Sequence, residues 1–256
     1  MYCKNGPIGV FDSGVGGISV LGHLRRQMPG ENFLYYSDTA HAPYGTRSTE
    51  DVRQLALNAA AHLLEAGIKA LVVACNTATA AAIADLRQKY PELTVVGIEP
   101  AVKPAAEAFP HGAVGVLATP VTLREEKFQN LAKRQSCQVI PLPAPGLADL
   151  VEAGKGDSAE AIALLTPILA PWKGKLDALV LGCTHYPFAR KAILSVLGDV
   201  PLFDGGEGTA RETRRQLLAK GLLQEGCGCI RWDSSAPADE TLCRQLLEQA
   251  SGISHG

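Results

Sequence analysis

Two related α/β domains, each built on a doubly wound and mainly parallel sheet, are what this sequence predicts, and three observations predict them. The first is a pair of matched segments. Leu71-Val72-Val73-Ala74-Cys75-Asn76-Thr77 and Leu179-Val180-Leu181-Gly182-Cys183-Thr184-His185 each run from a short aliphatic stretch to a cysteine followed by two polar side chains. Such runs, bounded by small and polar residues, read as strands buried on both faces, as in parallel sheets. The second is that the likeness recurs, with Ile8-Gly9-Val10 resembling Val114-Gly115-Val116, and Val95 to Glu99 resembling Val200 to Asp204. The three matched pairs lie 106, 108 and 105 residues apart, and a near-constant offset marks an internal repeat. The third is the alternation of strand-like runs with helical patterns, which produces parallel sheets.

Length and composition set the frame. A chain of 256 residues can bury a large core and lies where one core begins to split into two. With 46% hydrophobic and 20% charged residues it reads as an ordinary globular protein. A net charge of −2 and 5% aromatics give no electrostatic or stacking reason to expect nucleic acid or an anionic membrane as partner. Residues 1 to 10 hold one lysine and no long apolar core, and no apolar run approaches the roughly 18 residues of a membrane span, so a cytosolic chain without a secretory signal is expected. The short stretch before Pro7 argues against an added regulatory segment. Seven cysteines at irregular spacing fit reduced thiols better than a disulfide framework. Cys227-Gly228-Cys229 with Cys243 lacks a second pair at structural-zinc spacing, so no metal is expected.

Taken in order, residues 7–14 form a strand running into Asp12-Ser13-Gly14-Val15-Gly16-Gly17, a turn in which glycines permit close approach of an anion to backbone N–H groups. The third glycine of a dinucleotide fingerprint would fall at Ser19, so the turn is not that motif. A helix over 18–27 stops at Pro29-Gly30. The strand 33–37 leads into Asp38-Thr39-Ala40-His41-Ala42-Pro43-Tyr44-Gly45, where proline and glycine leave an ordered loop. Ser48 and the acids after it start a helix to Ala66, and Gly67 stops it. The third strand ends at Cys75. Asn76-Thr77 then begin an alanine-rich helix to Tyr90, whose first N–H groups and positive dipole end point at the Cys75 thiol and favour thiolate.

A fourth strand ends at Glu99-Pro100, a short helix covers 102–109, and the crossing between halves falls here. The second half has a strand over 114–118, then Thr119-Pro120-Val121-Thr122 and one helix to about Arg134. A strand follows over 138–142, with Pro141, Pro143 and Pro145 making a rigid loop into Leu147 to Ala153. Glu152 in this region reads by default as a solvated helix acid. A helix over 158–169 precedes the strand 177–182, which delivers Cys183-Thr184-His185-Tyr186-Pro187. His185, beside a candidate reactive thiol, suits proton transfer. After a strand over 200–203, a helix from Thr209 to Lys220 returns to the first half. Beyond Gly226 the tail offers only a last helix near 239–250. The domains expected are 1–99 with 208–256, carrying Cys75, and 100–207, carrying Cys183.

A lone cysteine in an apolar run is usually core. Two in matched strand-end contexts point to inversion at a carbon, where one group removes a proton from one face and its counterpart delivers one to the other. A thiol, with a reference pKa of about 8.5, can serve as base or acid near neutral pH. The α-carbanion of an amino acid is poorly stabilised, so the site must supply electrostatic stabilisation and exclude water.

Five separated segments, Asp12 to Gly17, Asp38-Thr39 with Pro43-Tyr44-Gly45, Ala74 to Ala78, Gly97-Ile98-Glu99-Pro100 and Gly182 to Pro187, together make the chain resemble the bacterial glutamate racemases over about residues 8 to 225. The resemblance implies cofactor-independent interconversion of L- and D-glutamate, supplying D-glutamate for peptidoglycan, and two α/β domains with the active site between them. It implies that Cys75 handles the proton of D-glutamate and Cys183 that of L-glutamate. Asp12 would assist Cys75 and His185 would assist Cys183, with Glu152 near His185. Ser13, Tyr44, Gly45, Asn76, Thr77 and Thr184 would hold the substrate, joined by Thr119 or Thr122, with Asp12, Pro43 and His185 also lining it. A homodimer is the assembly it suggests. His41 stands where many members have arginine, and the tail with Cys227, Cys229 and Cys243 shows little likeness.

Other readings stay open on residues alone. One is a racemase for aspartate, a second is a hydrolase with Cys183 as nucleophile and His185 as base, and a third is a binding module that clamps a small dicarboxylate.

Overall fold

The computed structural model describes residues 4–252. Two compact units divide the chain, one formed by residues up to Ile98 together with those from Gly206 onward, the other by Glu99–Gly205. Cys3 lies outside the described residues. No helix among the described residues is long and apolar enough to cross a membrane.

The first unit opens with β1 (Ile8–Asp12), α1 (Ile18–Gln27) and β2 (Phe33–Ser37). The loop after β2 contains two single 3-10 turns, Thr39–His41 and Tyr44–Thr46. Next come α2 (Thr49–Glu65), β3 (Ala70–Val73), α3 (Asn76–Lys89) and β4 (Thr94–Gly97). Ser48 caps α2 by accepting the Asp51 N–H at 3.1 Å, and Gly67, at φ 76°, turns the chain out of it.

The second unit runs α4 (Val102–Ala108), β5 (Ala113–Ala118), α5 (Pro120–Arg124), α6 (Glu126–Lys133), β6 (Gln138–Pro143), α7 (Leu147–Glu152), α8 (Ala159–Leu169), β7 (Ala178–Leu181), α9 (Arg190–Leu197) and β8 (Leu202–Asp204). The chain re-enters the first unit through α10 (Gly206–Ala219), β9 (Ile230–Ser234) and α11 (Glu240–Ser251).

Both sheets are parallel throughout their described pairings. The first has the order β4-β3-β1-β2-β9 and the second β6-β5-β7-β8. Reversed, the second reads β8-β7-β5-β6, the order of the first without its fifth strand. The central strands β1, β3 and β7 are buried along their whole length, as their unbroken aliphatic runs require when helices cover both faces. In this strand order the chain leaves the first strand to one side and returns on the other. The carboxyl ends of β1 and β3, and of β5 and β7, therefore flank the switch points where open α/β sheets bind ligands.

The register refines the repeat. Ile8 pairs with Ala70 as Val114 pairs with Ala178, which fixes offsets of 106 and 108 residues for these strands. Leu71 pairs with Val95, and its counterpart Leu179 pairs with Leu202. Val95 therefore corresponds to Leu202, not to Val200 as the sequence likeness suggested.

Other expectations need correction. The first strand is trimmed to Ile8–Asp12. Where one helix was expected after Thr119-Pro120-Val121-Thr122 and up to about Arg134, there are two, the first already begun at Pro120, with the break at Glu125 at φ −61° and ψ 135°. The Gln129 side chain donates to the Leu123 carbonyl at 2.6 Å and so satisfies one orphan acceptor at the break. Pro141 and Pro143 lie within β6, tolerated because β6 is an edge strand and need not donate on both sides. Helix α10 begins at Gly206, before Thr209. The polar tail contributes β9, which pairs with β2 from Phe33↔Ile230 to Ser37↔Ser234.

A buried ion pair fixes the tail at the opposite ends of the strands. Lys69 Nζ lies 2.6 Å from Glu31 Oε2, with both side chains fully buried. Lys69 also donates to the carbonyls of Lys4 and Leu222, while the Gln224 N–H donates to Glu31 Oε1 at 2.7 Å. Further on, Ala250 of α11 seats against Gly22 of α1, where an added Cβ would lie 2.8 Å from the Ala250 Cβ.

Candidate active site

The site residues of the first unit gather where β1 and β3 end. Cys75 is the N-cap of α3, and its sulfur accepts the Ala78 N–H at 3.5 Å. Its thiol donates to Ser13 Oγ at 3.7 Å, and Ser13 Oγ in turn donates to Asp12 Oδ1 at 3.1 Å. The Gly14 N–H donates to the same Asp12 oxygen at 3.0 Å. One hydroxyl thus connects a thiol to a fully buried carboxylate. Gly17 makes room for it, since a Cβ there would lie 2.6 Å from Asp12 Cβ and 3.0 Å from the Tyr35 hydroxyl. That hydroxyl donates to the Gly14 carbonyl at 2.7 Å and closes the turn.

Tyr44 is buried in the same apolar cluster as Cys75, with its ring 6.2 Å from that of Phe11. Its hydroxyl donates to Asp38 Oδ2 at 2.6 Å. Burial, that hydrogen bond and the negative charges of Asp38, Cys75 and Asp12 push its pKa far above the ordinary phenol value, so Tyr44 stays a neutral donor. Pro43 and Gly45 flank it. The phenol is therefore spent on Asp38, which in the sequence stands out only as part of the segment Asp38 to Gly45, although its place at the end of β2 is readable there. His41 Nδ1 sits 2.8 Å from Asp38 Oδ1 on the exposed side of the loop. Asn76 and Thr77 occupy the first turn of α3 and are buried. The Asn76 amide oxygen has no hydrogen-bond partner among the described residues. A buried acceptor left this way costs free energy unless a ligand or water meets it.

In the second unit the equivalent residues gather where β5 and β7 end. Cys183 follows β7, with its sulfur 3.6 Å from His185 Nδ1, and His185 Nε2 lies 2.6 Å from Glu152 Oε1. Glu152, which by default reads as a solvated acid, is a hydrogen-bond partner at the end of α7. Burial pulls the His185 pKa down. Its hydrogen bonds to Cys183 and Glu152, with their charges, outweigh that and hold it well above the usual imidazole value. Tyr186, fully buried, donates to the Ala144 carbonyl at 2.9 Å, and burial together with the charges of Cys183 and Asp149 raises its pKa. In the sequence Tyr186 stands out only as part of the segment Cys183 to Pro187. Thr119 caps α5 by accepting the Thr122 N–H at 3.3 Å, and the two hydroxyls bond each other at 2.9 Å. Thr184 is buried beside Cys183. A Cβ on Gly182 would lie 2.8 Å from Ala118 Cβ, so the β7 end passes close against β5.

Each unit therefore carries one thiol at a strand-end switch point, with its own hydrogen-bonded acid: Asp12 through Ser13 for Cys75, and His185 backed by Glu152 for Cys183. Cys75, Cys137, Cys183, Cys227, Cys229 and Cys243 are all free thiols.

Comparison with known proteins gives this arrangement a lineage. The family model described as Asp/Glu/Hydantoin racemase matches residues 12–213. A glutamate racemase of Clostridium acetobutylicum is 48% identical over 247 residues, covering 94% of this chain and 96% of the relative. The crystal structure of the Escherichia coli glutamate racemase in complex with L-glutamate and the activator UDP-MurNAc-ala is 32% identical, with a TM-score of 0.82 and coverage of 95% of each chain. That of the Francisella tularensis glutamate racemase in complex with D-glutamate is 27% identical, with a TM-score of 0.83, covering 96% of this chain and 95% of the other. With two strand-end thiols on one repeated sheet and a match across most of its length, the chain belongs to the Asp/Glu/Hydantoin racemase family.

Proposed function

We propose that this protein interconverts L- and D-glutamate without a cofactor, with Cys75 and Cys183 as the two acid/base groups. The observation that carries the reading is the equivalence of the two cysteines, each following the third strand of a sheet of the same order and each bonded to its own polar relay. Family membership and the glutamate racemases among its relatives support it.

With L-glutamate, the Cys183 thiolate takes the α-proton. The Cα–H bond breaks, an S–H bond forms, and the electron pair left on carbon spreads into the α-carboxylate. The Cys75 thiol then delivers its proton to the opposite face, the pair returns into the new C–H bond, and D-glutamate leaves behind a Cys75 thiolate. The reverse direction exchanges the roles. The protonated His185 beside Cys183 stabilises negative charge on that sulfur, while the Ala78 N–H does the same for Cys75.

Substrate carboxylates would be met by N–H groups of the glycine turn after Asp12 and of the α3 start, and by the Ser13, Thr77, Thr119, Thr122 and Thr184 hydroxyls. The unsatisfied Asn76 carbonyl oxygen suits the ammonium group. Tyr44, whose hydroxyl is committed, would contribute through its backbone with Pro43 and Gly45. The product D-glutamate would serve peptidoglycan synthesis, and a cytosolic homodimer is part of the reading.

The Cys183–His185–Glu152 chain is also what a cysteine hydrolase would use. That reading gives Cys75 no role. Circular dichroism of L-glutamate with purified protein and no added cofactor tests the proposal, with L-aspartate in parallel. Ellipticity decaying to zero with glutamate supports it, decay with aspartate alone moves the substrate, and a flat trace with both sinks it.

A further inference from the structure

We infer that Ser235, in the tail, is a positioning residue for the loop that carries Tyr44, an inference that rests on the proposed role of that loop in holding glutamate. Ser235 directly follows β9 and ties the end of β2 to the loop that follows it. Its N–H donates to the Ser37 carbonyl at the end of β2 at 3.0 Å. Its Oγ accepts the Ala40 N–H at 3.0 Å.

The rest of the loop bonds largely to itself. Tyr44 and His41 both bond Asp38, the Arg47 N–H donates to the Tyr44 carbonyl at 3.1 Å, and Arg47 Nε donates to the His41 carbonyl at 2.6 Å. The loop thus holds its own shape, and the Ala40–Ser235 bond joins the Asp38 N–H, which donates to the Asp12 carbonyl at 3.0 Å, in fixing that shape to the sheet. The strand before Ser235 is itself secured near the site. Asp233 lies 2.7 Å from His62 on α2, and Trp232 packs edge-on against Tyr35 at 5.4 Å, the residue whose hydroxyl closes the Asp12 turn. Through these contacts a tail that shares little sequence pattern with the family's motifs reaches both the turn after β1 and the loop after β2.

The test compares wild type with Ser235→Ala and Ser235→Thr, in the full chain. Losing one solvent-accessible hydrogen bond should raise KM for both glutamate enantiomers by about two- to tenfold while kcat changes by less than about twofold. The threonine variant, which keeps the hydroxyl, should restore KM. Trypsin cleavage of the native protein after Arg47 reads the same anchoring without any assay of turnover, and should quicken in the alanine variant alone. An unchanged KM in Ser235→Ala overturns the inference, with or without faster cleavage, and so does a fall in kcat that accompanies a lowered unfolding temperature. If wild type fails to racemise glutamate, the proposed function fails, and equal cleavage rates would then reject the anchoring role separately.

Discussion

A thiol whose sulfur meets a serine hydroxyl on one side and a helix N–H on the other has a defined route for its proton. Replacing Cys75 by serine keeps the shape but substitutes a far weaker acid, so kcat in both directions should fall by about a hundred- to ten-thousandfold. Cys183→Ser should do the same. A hydrolase built on Cys183 predicts a mild Cys75→Ser phenotype, so steady-state rates of the two variants separate the readings. His185 offers a pH test. Its folded-state pKa is raised, so the stability it contributes is complete below its unfolded value of about 6.5 and is lost as pH rises through the folded value. Glu152→Gln removes one of the two groups that raise it. Both the alkaline loss of stability and the alkaline limb of the rate of L-glutamate turnover should therefore begin at lower pH than in wild type. Superimposable profiles would contradict the role given to Glu152. At this scale the sequence disclosed the two cysteines and the polar residues next to them, because chain neighbours stay neighbours. On residues alone Glu152 had a solvated default, and only the family resemblance set it near His185, because the two are 33 residues apart and it is the packing of α7 against the turn Tyr186–Ala189 that brings them within 2.6 Å.

At the scale of elements, the turn after β1 depends on Gly17 for space. A Gly17→Ala variant must displace Asp12 or Tyr35, which should cost about 1–3 kcal/mol of stability and lower kcat, as read from denaturant unfolding and steady-state rates. The Lys69–Glu31 pair holds the tail to the amino ends of the strands. Lys69→Met strands a buried carboxylate and should cost about 3–5 kcal/mol, whereas adding Glu31→Leu should recover much of that loss. If the single and double variants unfold alike, the pair is not what fixes this corner. Elements were legible where apolar runs met clear stops, as at β3 before Cys75 and α2 before Gly67. Strand β9 was missed because Ile-Arg-Trp-Asp-Ser on a sheet edge carries charge and little aliphatic character. The break at Glu125 was missed because neither glycine nor proline marks it, and the Gln129 side chain that caps it acts through tertiary geometry.

For the whole molecule, the repeat was the most informative feature of the sequence. It predicted two related α/β halves, and the strand order that their sheets share then explains why both cysteines lie at switch points. Likeness of side chains misplaced only the last pair of strands, because β8 is a half-buried edge whose residues are less constrained than those of β7. The account stands on two thiols acting on opposite faces of one carbon, and the direct measurement is isotope partition at early times in deuterium oxide, starting from each enantiomer in turn. If the proton taken by one cysteine is not the one delivered by the other, newly formed product carries deuterium at its α-carbon while the remaining substrate keeps protium. Deuterium entering the substrate pool as fast as the product, or product that retains the substrate's own proton, would mean a single base, and would contradict the pairing of Cys75 with Cys183.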